Sequence, residues 1–197
     1  KAFAENMVKC VDKYQEVSFA LRLVPNRDYK FVVFADFVDN GKQEDLFYNT
    51  TDLENITAKT DVDGWDAMNE ARDAYFYSDV HEITETGLNQ TIELKRPFAK
   101  LRVITTDLDY ITNYSKPGYV VVTYHDCDIF KSFNAVSGEL NDAKMDGNDL
   151  TYSFEVKKDS PYTEGYDKES TNQTLFTDYL LAPAQAQAAV HFSFAVY

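Results

Sequence analysis

Residues 92–105, which read IELKRPFAKLRVIT, constrain the fold more than any other part of this sequence. Apolar and polar residues alternate along them, which is the period of a half-buried β-strand. A change of parity within such a strand requires a bulge or a corner, and sheets tolerate a proline such as Pro97 at these places. We predict a long strand that bends at residues 96–98 and takes part in two sheets. The alternative is two short strands separated by a proline turn. The apolar residues are Ile92, Leu94 and Phe98 on one parity, then Leu101, Val103 and Thr105 on the other.

The rest of the chain consists mainly of short segments with strand composition. The sequence contains 14 Tyr and 14 Phe, and aromatic residues favour strands. Only residues 66–72 and 107–114 favour short helices. The pattern of about 7–10 short strands separated by turns indicates an all-β antiparallel sandwich or barrel. The predicted strands are residues 16–24 and 29–38, paired as a hairpin, then 53–58, 74–80, 119–124, 130–133 and 151–156, and a last pair, 174–181 and 188–197.

Residues 42–91 are long and polar for a connection between two strands, so we expect an excursion over the surface. Aromatic residues within it, Trp65, Tyr75 and Tyr77, form a candidate interaction surface. If they are exposed, they can stack on a sugar or on a partner chain. The alternative is that they hold the excursion against the sandwich.

The charge and the motifs exclude several classes of function. The formal net charge is −14, and an acidic surface without a basic patch disfavours nucleic-acid binding. The sequence has no apolar run long enough to span a membrane. It also lacks the nucleotide-binding glycine motifs and the nucleophile elbow of hydrolases. We therefore predict no enzyme activity, no catalytic residues and no cofactor.

Two segments carry residues that bind metals, but neither has a suitable arrangement. Residues 125–128 read HDCD, and neighbours in a strand point to opposite faces, which disfavours a zinc site. Residues 61–66 read DVDGWD and lack the terminal glutamate of a calcium-binding loop. We predict a solvated strand end and an acidic loop, and no metal site.

Residues 1–14 show no clear period and are predicted to be a lead-in to one domain, residues 15–197. Because the sequence ends within a strongly alternating segment, we expect the natural protein to continue beyond Tyr197. Cys10 and Cys127 lie far apart in the sequence. They either pair in an exported protein or remain as two thiols.

Several motifs resemble the fimbrillin-like surface proteins of Bacteroidales, the subunits and relatives of type V pili. The resemblance spans most of residues 15–197, and its most specific part is RPFAKL at residues 96–101. The other motifs are YKFVVFADFV at 29–38, LFYNTTDLENIT at 46–57, RDAYFYS at 72–78, LKRPFAKLRVITTDL at 94–108, FKSFNAVSG at 130–138 and YLLAP at 179–183.

The resemblance implies a transthyretin-like antiparallel β-sandwich, exported as a lipoprotein and displayed at the outer membrane or in fimbriae. Its lipid anchor would lie outside this chain, and a second, similar sandwich would follow beyond Tyr197. It further implies a structural pilus or adhesin subunit whose partners are other subunits, joined by β-strand exchange. The alternative is a non-fimbrial surface lipoprotein that binds a glycan or a host protein through residues 42–91.

Overall fold

In the computed structural model the described part of the chain is mainly β-structure, with one 3₁₀ helix at Glu70–Arg72. The all-β antiparallel prediction is confirmed. The structure describes residues 16–39, 42, 44–59, 69–106, 119–125, 130, 132–141, 149–155, 172–182 and 191–197. The strands are β1 (Arg27–Asp36), β2 (Tyr48–Asn49), β3 (Ile56–Ala58), β4 (Ala74–Ile83), β5 (Phe98–Thr105), β6 (Tyr119–His125), β7 (Ser132–Asn134), β8 (Glu139–Leu140), β9 (Leu150–Glu155), β10 (Gln173–Leu181) and β11 (His191–Val196).

One hydrophobic cluster lies between the sheet β11-β6-β9 and the sheet β10-β5. Its centre is formed by Val120, Val122 and Tyr124, which occupy alternate positions of β6 and are at most 1% exposed. This alternation is the period of a strand with one face in the core. On the facing sheet, β10 is covered on both faces, since every residue from Gln173 to Tyr179 is buried. Its ladder with β5 shifts register between Thr174 and Phe176.

A second cluster lies between the two-stranded sheet β1-β4 and the four-stranded sheet β2-β3-β7-β8. Phe76 of β4 packs edge-on against Phe133 of β7, with 4.6 Å between the ring centroids. Phe47 and Ile56 are 1% and 2% exposed. The described chain is thus built from two pairs of facing sheets, which is a sandwich-like arrangement.

The segment around Pro97 contributes to both clusters. On its N-terminal side, Lys95 pairs with Phe76 of β4 through two backbone hydrogen bonds of 2.7 and 2.8 Å. After the proline, β5 pairs along its length with β10. Phe98 packs in the second cluster, whereas Leu101 and Val103 pack in the first. The predicted change of parity is confirmed, and so is the prediction that this segment pairs with strands of two sheets. Only residues 98–105, however, form a regular strand.

The predicted hairpin at the start of the chain is wrong. Residues 16–24 are not part of a strand, and β1 instead pairs with β4 over its whole length, from Arg27 opposite Ile83 to Asp36 opposite Ala74. The partner lies about 40 residues further along the chain, and a local pattern does not specify such a distant partner.

Residues 42–91 are not a surface excursion, and this prediction is also wrong. They supply three strands and several of the most buried residues, including Phe47, Tyr48, Ile56, Arg72 and Ala74. The average composition of the segment is polar, but its apolar residues are concentrated at the positions that enter the second cluster.

The last two predicted strands are present, but they do not pair with each other. β10 pairs with β5, and β11 pairs with β6. The predicted inward face of β11 is only partly covered, since Phe192 packs in the first cluster whereas Phe194 and Val196 are 45% and 41% exposed.

The predicted helix at 66–72 is reduced to the single 3₁₀ turn where it falls within the described chain, and the predicted helix at 107–114 lies outside the described residues.

Candidate functional site

The aromatic surface predicted from the sequence is only partly described. Trp65 lies outside the described residues, whereas Tyr75 and Tyr77 lie on one face of β4 and are half-buried. The Tyr75 hydroxyl donates a hydrogen bond of 2.7 Å to Asp73, and the Arg96 guanidinium lies 5.4 Å from the ring centroid. A cation in this position occupies a ring face that a sugar would need for stacking.

Tyr77 is held by an intramolecular contact of its own. Its hydroxyl lies 2.6 Å from His81 Nε2, and the two rings are stacked with an interplanar angle of 3°. Both described tyrosines thus have partners within the chain. The use of these rings as a stacking surface therefore stays a prediction.

A set of charged residues connects the 3₁₀ turn to both sheets of the first cluster, and we call it the ionic web. Arg72 donates a hydrogen bond of 2.6 Å to Asp178 of β10, and these side chains are 1% and 3% exposed. The other carboxylate oxygen of Asp178 accepts a hydrogen bond of 2.8 Å from the Tyr124 hydroxyl. The web consists of Glu70, Arg72, Asp73, Arg96, Lys100 and Asp178.

The two cations of the RPFAKL motif complete the ionic web. Arg96 makes a two-pronged contact with Asp73, with distances of 2.7 to 3.0 Å. Lys100 lies 2.8 Å from Glu70, whose carboxylate also accepts a hydrogen bond from Tyr179. The motif therefore fixes the 3₁₀ turn through its charges, while its apolar residues enter the two clusters.

Burial keeps the tyrosine hydroxyls around the ionic web protonated. Burial, and then the negative charge of Asp178, raise the pKa of Tyr124, so this hydroxyl remains a hydrogen-bond donor. The Tyr48 hydroxyl donates to the backbone carbonyl of Arg72, and burial raises its pKa too. Each acid of the web faces a cation: Asp178 faces Arg72, Asp73 faces Arg96, and Glu70 faces Lys100.

A separate buried acid, Asp36 at the end of β1, lacks this compensation. Its Oδ2 atom is buried and has no hydrogen-bond partner within the described part of the chain. Burial, followed by the negative charge of Asp45, raises the pKa of Asp36 from 3.8 to about 6. The charged form of this side chain therefore destabilises the native state at neutral pH.

We expect Asp36→Asn to increase the free energy of unfolding at pH 7 by about 1–2 kcal/mol, since a pKa unit corresponds to about 1.4 kcal/mol and partial exposure reduces the effect. The native state holds the proton more tightly than the unfolded state between pH 3.8 and about 6. The cost of the charge is therefore complete above pH 6 and disappears as the pH falls through that range.

Urea unfolding of the wild type and of Asp36→Asn at pH 7.5 and pH 4.5 would measure this gain. Asp28→Asn is the matched control, because Asp28 lies on the same strand but is exposed. A gain that is equal at both pH values would contradict the assignment of the effect to Asp36 ionisation.

His125 at the end of β6 lies in a polar surface cluster. Its Nδ1 atom is 2.9 Å from Asp149 Oδ2, and its Nε2 atom is 2.6 Å from the Ser193 hydroxyl on β11. The order of these contacts is that of a serine hydrolase triad. A catalytic serine normally lies within a cleft, whereas the His125 and Asp149 side chains are 42% and 56% exposed.

The rest of segment 125–128, the loop at 61–66, Cys10 and Cys127 lie outside the described residues.

The exposed apolar residues concentrate at two places. One is the end of β11, where Phe194 and Val196 are joined by Tyr197, which stacks on Tyr119. In the described chain β11 pairs only with β6, so its other edge is open. The second place is the extended segment 16–24, where Phe19 and Leu21 are 41% and 38% exposed. An open strand edge beside apolar side chains is a template for another strand.

In the described residues these features define an all-β fold with layered sheets, a partly buried ionic web and an apolar edge of β11 that pairs with no described strand. The chain belongs to DUF6562, a family of unknown function, whose match covers residues 2–197. No curated protein and no solved structure matches the chain. The described part of the chain has no helix of the length and hydrophobicity needed to cross a membrane.

Proposed function

We propose that this protein is a non-catalytic structural subunit of the cell surface that assembles by β-strand addition between copies. The observation that carries the proposal is segment 16–24, which has the alternation of a strand and belongs to no strand in the structure. Val17, Phe19, Leu21 and Leu23 share one parity of this segment. Adding it to a sheet edge would form backbone hydrogen bonds and bury these side chains together.

The edge that suits this segment best is β11. Phe192, Phe194 and Val196 share the parity that faces the first cluster, but the last two are more than 40% exposed. A strand added alongside β11 would place its own apolar residues next to these side chains and cover them. We therefore assign segment 16–24 of a second copy as the donor and the open edge of β11 as the acceptor.

The net charge of −14 opposes association between identical copies. Because salt screens this repulsion, assembly is expected to strengthen between low ionic strength and about 0.5 M salt, where the Debye length is only about 4 Å. The salt dependence distinguishes burial of apolar strands from pairing of opposite charges, which salt would weaken.

We expect the full chain to form concentration-dependent oligomers, and the double variant Phe19→Asp/Leu21→Asp to remain monomeric. The introduced charges would have to enter the apolar face beside β11, where an unpaired charge is costly. Light scattering coupled to gel filtration measures the mass of each variant over a range of concentrations and salt.

The double variant Ser18→Asp/Ala20→Asp is the matched control, because it adds the same charge to the opposite parity of the same segment. It is expected to retain most of the association. Phe194→Lys tests the acceptor and is expected to block assembly without unfolding the chain, as this ring is 45% exposed. A wild-type chain that stays monomeric at millimolar concentration, or equal behaviour of the two double variants, would refute the proposal.

The location at the cell surface and the lipid anchor outside this chain are supported by the resemblance of RPFAKL and the neighbouring motifs to fimbrillin-like proteins. Antibody labelling of intact cells that produce the protein, with and without external protease, tests this part. Labelling only after the cells are lysed would rule out a surface subunit, whatever the oligomeric state of the purified chain.

A further inference from the structure

Two of the three histidines of the sequence lie side by side across strands. His125 ends β6 and His191 begins β11, and they are direct partners in the antiparallel ladder. Side chains of directly opposed residues lie on one face of the sheet, with Cβ atoms about 4.5–5.5 Å apart. Two imidazoles at this separation can reach one metal ion, because Zn–N bonds are about 2.0–2.1 Å long.

Asp149 orients one of these imidazoles. Its Oδ2 atom lies 2.9 Å from Nδ1 of His125. Because an ionised carboxylate can only accept, the proton of the neutral imidazole is held on Nδ1, and Nε2 keeps its lone pair. That Nε2 atom points towards β11, where it lies 2.6 Å from the Ser193 hydroxyl. A carboxylate behind a histidine is the usual support of a metal ligand.

We propose that His125 and His191 bind one divalent transition-metal ion, such as Zn²⁺, Ni²⁺ or Cu²⁺, on the outer face of the sheet. His125 Nε2 and the His191 imidazole are the protein ligands, and Asp149 is a positioning residue. Imidazole ligands suit these metals better than Mg²⁺ or Ca²⁺. In the described ranges no three His, Cys, Asp or Glu side chains are grouped to hold a metal, so water completes the coordination.

A metal ion at this position would join the edge strand β11 to β6. Because it binds the folded protein, it raises the midpoint of thermal unfolding as the free metal concentration rises above its dissociation constant. The inference depends only on the ladder between β6 and β11 and on the contacts of His125. The result of the experiments on strand addition between copies does not affect it.

Calorimetric titration of the reduced full chain with ZnCl₂ tests the proposal, with circular dichroism to verify the fold of each variant. We expect saturable binding of one ion, loss of that binding in His125→Ala and His191→Ala, and about tenfold weaker binding in Asp149→Asn. His191→Gln is a second variant of that ligand, should the alanine form fold poorly. His81→Ala is the matched control and is expected to bind as the wild type does, because His81 lies in the separate ladder of β1 and β4.

Cys127 follows His125 by two residues and offers a thiol, so Cys127→Ser is included in the series. We expect this variant to bind zinc as the wild type does. Binding that survives loss of either histidine, or that requires Cys127, would overturn the proposal. Weak uptake without saturation by the wild type, as expected of an acidic surface alone, would overturn it as well.

Discussion

Arg72→Met is expected to reduce the free energy of unfolding by about 3–5 kcal/mol, the usual cost of removing one partner from a buried ion pair. Methionine fills much of the space of the arginine stem, so the loss arises mainly from charge. Asp178, whose side chain is 3% exposed, would keep hydrogen bonds from the Tyr124 hydroxyl and the Tyr179 backbone N–H but lose its cation. Urea unfolding monitored by circular dichroism measures the change.

Arg96→Met provides the comparison within the same ionic web. The Arg96 side chain is 41% exposed, so water can replace it beside Asp73, and the expected loss is about 1 kcal/mol. Adding Asp178→Asn to Arg72→Met removes the unpaired charge and is expected to restore part of the stability. Equal losses for Arg72→Met and Arg96→Met would show that burial does not make the pair of Arg72 and Asp178 more stabilising than the exposed pair of Arg96 and Asp73.

The strands that the sequence predicted best are those whose period alone determines their position. In β6, Val120, Val122 and Tyr124 alternate with residues of the outer face, and no other register would bury all three. The parity change near Pro97 could be predicted for the same reason. Where the apolar residues of a strand change parity beside a proline, few arrangements are possible other than a corner between two sheets.

Strand partners could not be predicted, because pairing depends on contacts between distant parts of the chain. Segment 16–24 has as clear an alternation as β11, yet only β11 is part of a sheet in the structure. The ion pair between Arg72 and Asp178 joins residues 106 positions apart. A charged residue in a polar-looking segment gives no local sign that it will be buried. The two-residue strands β2 and β8 are too short to show any period.

The candidate interaction sites show the same difference between local patterns, which the sequence reveals, and contacts between distant residues, which it does not. The aromatic composition around Tyr75 and Tyr77 was visible in the sequence, but their contacts with Asp73, Arg96 and His81 arise only from the fold. In the sequence, His125 stands beside other potential metal ligands in the HDCD segment. The structure instead places His191, 66 residues away, on the facing position of the next strand. Residues that converge across strands leave no signature at a fixed spacing.

Phe176→Ala is expected to cost about 3–5 kcal/mol, because it removes a ring from the centre of the first cluster and leaves a cavity that the sheets cannot close. Phe176 has no exposed surface, and its ring lies 6.2 Å from that of Phe192 and 6.1 Å from that of Phe194. Phe194→Ala, at the partly exposed end of the same cluster, is the matched control and is expected to cost about 1 kcal/mol, since less apolar surface returns to water. Thermal and urea unfolding of both variants measures the difference. If the two substitutions were equally mild, the facing of sheet β10-β5 against sheet β11-β6-β9 would be wrong, because that packing alone distinguishes the two rings.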